Sequence, residues 1–376
     1  MRKLYTSKIF VKKILFTIIL LYPTTYLIEP VRSVGGAWSN IFFFLILLLY
    51  FLLGNLKIRI SKPTLTGLGI LLILFLLTII NFNSFRLAKP TFFIFYISLV
   101  FIWAKQTKYF FYEFKEYLIL LLLFIPFFLL LSNNYYYMGR FTGFSLSPTT
   151  FSMFITSYVV IGFYLLKTKF SKTIIFLAGG MLVYFTQTRL NLFLFLLIPP
   201  LYLIGNSSKT MRVLVLITVV FTLNFVYTIY NLVKAENPDL ISYRYKDDEY
   251  DRSFRLRNTL FNESIAYWKN LSTYEKIKGA GSEKARENIY NIFKRDLFPH
   301  NDFVRILIDF GLIFFICFIL FFISIGSKNV FSFLLTILYF IGFYHNMIFD
   351  YFLVSLVIIS TSFVIPINIK KRWAYI

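Results

Sequence analysis

The chain has 376 residues, 58% of them hydrophobic and 21% aromatic, with a mean hydropathy of +0.72. Charged residues make up only 15%, against about a quarter in soluble domains, which excludes an ordinary soluble globule. The formal net charge of +22 does not make a nucleic-acid binder, because the lysines and arginines punctuate apolar runs instead of lining one face of a soluble fold.

In chain order there are about twelve apolar stretches near bilayer-spanning length. The first nine are Ile14–Ile28, Trp38–Gly54, Leu65–Asn81, Thr91–Ala104, Tyr117–Leu131, Pro148–Leu166, Thr173–Thr186, Leu190–Ile204 and Val213–Leu232. The last three are Phe303–Ile323, Val330–Tyr344 and Met347–Ile365. The first run lacks a small-residue cleavage site and many more follow it, so it reads as a retained span and not a signal peptide. The expected fold is all-α, a polytopic integral membrane protein with about 12 transmembrane helices. Helices 1–9 fall in residues 1–232, a long extracytoplasmic loop with short helices in 233–302, and helices 10–12 with a cytoplasmic tail in 303–376.

Charge sets the orientation. The amino terminus carries Arg2, Lys3, Lys8, Lys12 and Lys13, and alternate connections are basic thereafter, down to Lys370, Lys371 and Arg372 in the tail. The intervening connections hold little more than Arg32, Arg86 with Lys89, Arg140 and Arg189. Positive-inside alternation makes both termini cytoplasmic and puts the long loop on the far side.

The loop mixes acids and bases and looks folded. Phe254, Leu260, Phe261, Ile265 and Trp268 recur at helical spacing after the cap candidates Asp251 and Ser253. Ala285, Ile289, Ile292 and Phe293 share one face of a second amphipathic helix after Ser282. Gly279 and Gly281 suit a tight turn between the two, and Pro299 suits the first turn of the tenth span.

On this topology Arg140, Arg189 and Arg257 share a compartment with the loop, and guanidinium is a bidentate ligand for phosphate oxygens. Singly, each reads first as a headgroup-snorkelling or helix-end anchor, whereas the set taken together with His300 points to function. His300 is a candidate general base, since imidazole titrates near neutrality, with a helix-start cap as the plainer reading. His345, also on the outer side, reads as an interfacial cap. Arg305 and Asp309 lie one turn apart on the tenth span, where charges are paired or face a cavity, so an ion pair and a ligand-positioning role stand side by side. The lone Cys317 and two histidines leave no metal cluster, and the sequence has no Walker, zinc or Gly-x-Ser-x-Gly motif. Asp247-Asp248 resembles a metal motif of nucleotide-sugar transferases only superficially and reads as solvated surface.

The ordered motif set resembles the O-antigen polymerase (Wzy-type) and O-antigen ligase superfamily of polyprenyl-pyrophosphate-dependent membrane glycosyltransferases. The matching residues are Arg140 with Gly143 and Pro148, then Thr188-Arg189, then Asp251-x-Ser253-x-x-x-Arg257. Trp268, Gly279-Ala-Gly281, and His300-Asn301 followed by Gly311-Leu312 complete the set. Two departures stand out: Ser147-Pro148-Thr149 replaces the family's Asn-Pro-Asn, and Thr186-Gln-Thr-Arg189 replaces Ser-x-Ser-Arg.

The resemblance implies metal-independent, inverting glycosyl transfer without a cofactor on the outer face of a bacterial inner membrane. Undecaprenyl-pyrophosphate-linked oligosaccharides would be joined into a surface polysaccharide, with a chain-length regulator and a flippase as further partners and no nucleic acid. His300 would take the proton from the acceptor hydroxyl. Arg189 and Arg257, with Arg140, Asp251, Ser253 and Arg305 around the substrate, would hold the leaving pyrophosphate. A ligase carrying finished glycan to lipid A–core shares this chemistry. A non-catalytic transporter would instead bury polar groups within the spans and show repeated halves.

Overall fold

A computed structural model describes residues 14–35, 37–53, 62–82, 89–105, 117–166, 168–236, 248–295, 297, 299 and 301–362. Among these the fold is all-α, apart from one hairpin of two-residue strands, β1 (Tyr136–Tyr137) and β2 (Arg140–Phe141). The helices before the loop are α1 (Ile14–Leu27, its last six residues a tighter 3-10 turn), α2 (Glu29–Val34), α3 (Ala37–Leu53), α4 (Lys62–Ile80), α5 (Lys89–Lys105) and α6 (Tyr117–Leu129). After the hairpin come α7 (Pro148–Leu165), α8 (Lys169–Phe185), α9 (Arg189–Leu196), α10 (Ile198–Gly205) and α11 (Lys209–Glu236). The loop region holds α12 (Asp248–Asn270), α13 (Thr273–Lys278) and α14 (Lys284–Phe293), called the lid below. The chain ends in α15 (Asp302–Gly326), α16 (Val330–Gly342) and α17 (Tyr351–Ser360).

Each of the twelve apolar stretches contains helix among its described residues; the last, Met347–Ile365, is helical only over Tyr351–Ser360, and its residues 363–365 lie outside the described residues. The eighth, Leu190–Ile204, is two short helices, because Pro199 and Pro200 have no N–H to continue the α9 ladder and instead fill the first turn of α10. Two helices, α7 and α15, are long and apolar enough to cross a membrane; the other apolar helices among the described residues are shorter or less hydrophobic.

Burial is graded from the centre outward. Every residue of α16 and α17 is buried, as expected of helices that are apolar all round. On α16, Tyr339 Oη donates to the Ile348 carbonyl at 2.5 Å, and on α17 Ser355 Oγ donates to the Tyr351 carbonyl at 2.6 Å, whereas Tyr351 Oη is buried without a hydrogen-bond partner among the described residues. The outer helices leave large apolar side chains exposed, among them Phe44 and Leu48 on α3, Leu72 and Leu76 on α4, Leu177 and Met181 on α8, and Leu312, Ile316 and Leu320 on α15. Apolar surface on this scale belongs against lipid or another apolar partner and not against water.

One break positions the site. At Gly311 the backbone of α15 turns to φ 79°, ψ 177°, a region open in practice only to glycine. The turn removes the helical partners of the Ile308 and Asp309 carbonyls. The lid replaces them: Ala280 N donates to the Ile308 carbonyl at 2.8 Å and Gly281 N to the Asp309 carbonyl at 3.2 Å. Gly279 and Gly281 are therefore more than a turn between lid helices, since they carry an extended clip docked into the break. Asn81, just past the end of α4, holds the clip from the other side. Its side chain donates to the Lys278 carbonyl at 2.7 Å and its carbonyl accepts from Ser282 N at 3.0 Å.

Candidate functional site

Two polar centres emerge. The first lies where the lid meets the start of α15. Phe261 of α12, Ala285 of α14, Val304 and Ile308 of α15, and Tyr344 form a small apolar cluster under the lid, separate from the main core. Beside it sits a charged group. Arg305 is 7% exposed, and its Nη2 reaches Glu283 Oε1 at 2.5 Å. Arg305 Nε lies 3.5 Å from Asp309 Oδ2 and Nη1 lies 3.9 Å from Asp302 Oδ1, which are ion pairs looser than hydrogen bonds. Each carboxylate has a second task. Asp309 Oδ1 accepts from Ala285 N at 2.9 Å, capping α14 from another helix, and Asp302 Oδ2 accepts from Ile348 N at 2.8 Å, tying α15 to the turn before α17. Arg286 Nη1 pairs with the other Glu283 oxygen at 3.2 Å. The guanidinium of Arg305 also stands 5.3 Å from the Phe349 ring centre, and Lys89 Nζ stands 5.8 Å from it.

The second centre lies where α7, α8 and α9 meet. Arg140, at the tip of the hairpin, donates from Nε to the Thr186 carbonyl at the end of α8, 3.0 Å away. Thr186 Oγ1 bonds Thr188 Oγ1 at 2.6 Å, and Thr188 Oγ1 donates to Ser152 Oγ at 3.1 Å. Asn191 Nδ2 donates to Ser152 Oγ and to the Thr149 carbonyl, while its Oδ1 is buried without a hydrogen-bond partner. Ser147 caps α7 by accepting from Thr150 N at 3.1 Å, with Pro148 following it. The sequence motifs around Pro148 and Arg189 are thus joined by hydrogen bonds, and Arg189 stands exposed at the first residue of α9.

The remaining candidates are placed as follows. Arg257 is half-buried on α12, one turn before Phe261 on the stripe that faces the lid interior, and it has no ion-pair partner among the described residues. Asp251 and Ser253 lie inside α12, which begins at Asp248, so they do not cap it; Ser253 falls one turn before Arg257. His300 lies outside the described residues. Pro299 is buried but precedes the first turn of α15, whose cap is Asn301: its Oδ1 accepts from Phe303 N at 3.0 Å and Val304 N at 3.4 Å. His345 ends a 3-10 turn beside the buried Tyr344. On α14 the buried face is Ala285 and Ile289, while Ile292 is exposed.

Asn81, Glu283 and Asp302 were not singled out in the sequence. An asparagine at the end of an apolar run and an aspartate at a helix start each carry a local signal, but Asn81 acts through a contact 197 residues away and Asp302 through one 46 residues away. Electrostatic shifts in the lid are local. Hydrogen bonds from the Ser272 side chain and backbone hold the Glu275 carboxyl below its usual range, Glu287 raises Lys284, and burial pushes the Tyr267 phenol up. No group of metal-binding residues occurs among the described residues. No protein-family model matches the chain, and no curated protein matches it either.

Proposed function

We propose that the chain is a polyprenyl-pyrophosphate-dependent polymerase of a surface polysaccharide, working on the outer face of a bacterial inner membrane. The observation that carries the reading is the polar lid clipped into the broken apolar helix α15, with the half-buried Arg257 on its inner stripe. A substrate with a charged pyrophosphate, a polar glycan and a long hydrocarbon tail needs such a boundary: a polar segment beside helices whose outer faces are apolar. About twelve spans with both termini in the cytoplasm deliver the lid to the side where lipid-linked repeat units arrive.

In this reading His300 accepts the proton of the acceptor hydroxyl as that oxygen attacks the anomeric carbon. The bond to the pyrophosphate breaks on the opposite side, which inverts the centre. Arg257 and Arg189 stabilise the charge that grows on the departing pyrophosphate, and Arg140 supports the turn that presents Arg189. Asp251 and Ser253, on α12, are further candidates for contact with the glycan. The role of Arg305 follows its surroundings: its guanidinium is engaged by Glu283, Asp302 and Asp309, so we assign it to geometry and not to phosphate binding.

The test is complementation of a deletion strain, with surface glycan resolved by length and membrane abundance measured for every variant. The wild-type chain is expected to restore a ladder of lengths, and His300→Ala to leave single repeat units. Deletion that leaves long glycans stranded on the polyprenyl carrier makes the chain a ligase and overturns the polymerase reading.

A further inference from the structure

Arg305 occupies a particular place in the fold. It lies one turn inside α15, between Asp302, which ties that helix to the turn before α17, and Glu283, which begins the α14 segment of the lid. Asp309, one turn further along, binds both the guanidinium and the backbone N–H that opens α14. A planar fork with five donors can serve three carboxylates in different directions, which a lysine ammonium on a flexible stem does not reproduce. The consequence is mechanical: α14 and α15, the two helices that flank His300 in sequence, are locked to each other through one buried cation.

We propose that Arg305 is a positioning residue, a latch that acts through Glu283 and Asp309 to set α14 against the start of α15. Its effect on glycan transfer rests on the polymerase reading above; the latch itself does not. The backbone clip at Gly279 fixes where the lid docks, and the latch fixes its angle. Buried ion pairs suit such registry roles better than they suit raw stability, because desolvation offsets most of their attraction.

Hydrogen exchange on the full-length chain in lipid nanodiscs reads the latch directly. Glu283→Gln and Arg305→Lys are each expected to raise exchange in residues 273–293 by about tenfold, with α16 and α17 unchanged. The double variant is expected to match the more affected single variant, because both remove one interaction. Glu283→Asp, which keeps the carboxylate, is expected to recover most of the protection. Wild-type exchange in Glu283→Gln, or additive effects in the double variant, overturns the latch. In the complementing strain the same two variants are expected to shorten the glycan ladder together and Glu283→Asp to restore it. A loosened lid with an unchanged ladder refutes positioning for transfer. A wild-type chain that restores no glycan refutes the polymerase reading and leaves the exchange result standing.

Discussion

The two polar centres are built on opposite plans. At the lid the polar groups are ionisable: Glu283, Asp302 and Asp309 surround Arg305, and each carboxylate is also a link between elements. At the α7–α9 junction the buried groups are neutral, a relay of Ser152, Thr186, Thr188 and Asn191, with Arg140 at its edge. A charged, low-dielectric cluster is stiff, because removing one member leaves another charge buried and unpaired. A hydroxyl relay loses about 1 kcal/mol per bond and can re-form around a ligand. The lid centre therefore fixes geometry, and the α7–α9 centre is the one with more freedom to rearrange.

Substitutions at the clip should have the largest effect. A Cβ on Gly279 would stand 2.5 Å from the Asp309 carbonyl and 2.6 Å from the Phe310 backbone, at a φ of +101°. Gly279→Ala is expected to undock the lid at a cost of about 3–4 kcal/mol, seen as a lower melting temperature and lost exchange protection in α13. A wild-type melting curve would show that the clip is not needed. Next comes Asp309→Ala, which strips Ala285 N of its acceptor and unbalances Arg305. A loss of about 2–4 kcal/mol is expected, and Asp309→Asn, which keeps the acceptor, should lose less. Equal losses would show that charge alone matters there.

At the neutral centre the expected effects are smaller. Asn191→Ala removes donors to Ser152 and Thr149 and should lower stability by about 1–2 kcal/mol in the same melting assay. A loss as large as that of Asp309→Ala would erase the contrast between the centres. The smallest effect belongs to the capping box of α13, where Glu275 accepts from Ser272 N at 3.0 Å and Ser272 Oγ at 2.7 Å. The folded-state pKa of Glu275 is depressed, so its contribution is present above the unfolded carboxylate value of about 4.3 and is lost as pH falls through the folded value. Exchange protection of α13 should weaken on acidification in the wild type, and Glu275→Gln should flatten that dependence.

Much of this fold is written in one-dimensional pattern. Apolar runs locate the long helices, and Ser147-Pro148 marks the start of α7 by capping chemistry alone. What escapes the pattern is tertiary. Nothing local tells that Gly279 and Gly311 meet backbone to backbone, or that Asn81 receives the lid from the far side of the chain. The cap reading of Asp251 and Ser253 fails because helix-compatible residues precede them, so α12 begins a turn earlier. Ile292 looks core-facing by spacing but is exposed, because α14 is covered only along Ala285 and Ile289. The pairing of Arg305 with Asp309 is visible at a spacing of four residues, whereas Glu283, its closest carboxylate, is separated from it by the whole of α14.

The most direct test is reconstitution. The purified chain in nanodiscs, supplied with undecaprenyl-pyrophosphate-linked repeat units and no added metal, should produce elongated lipid-linked glycans and release undecaprenyl pyrophosphate. His300→Ala and Arg257→Ala, with wild-type melting curves, should produce neither. A folded wild-type protein that leaves every repeat unit unjoined would contradict the account.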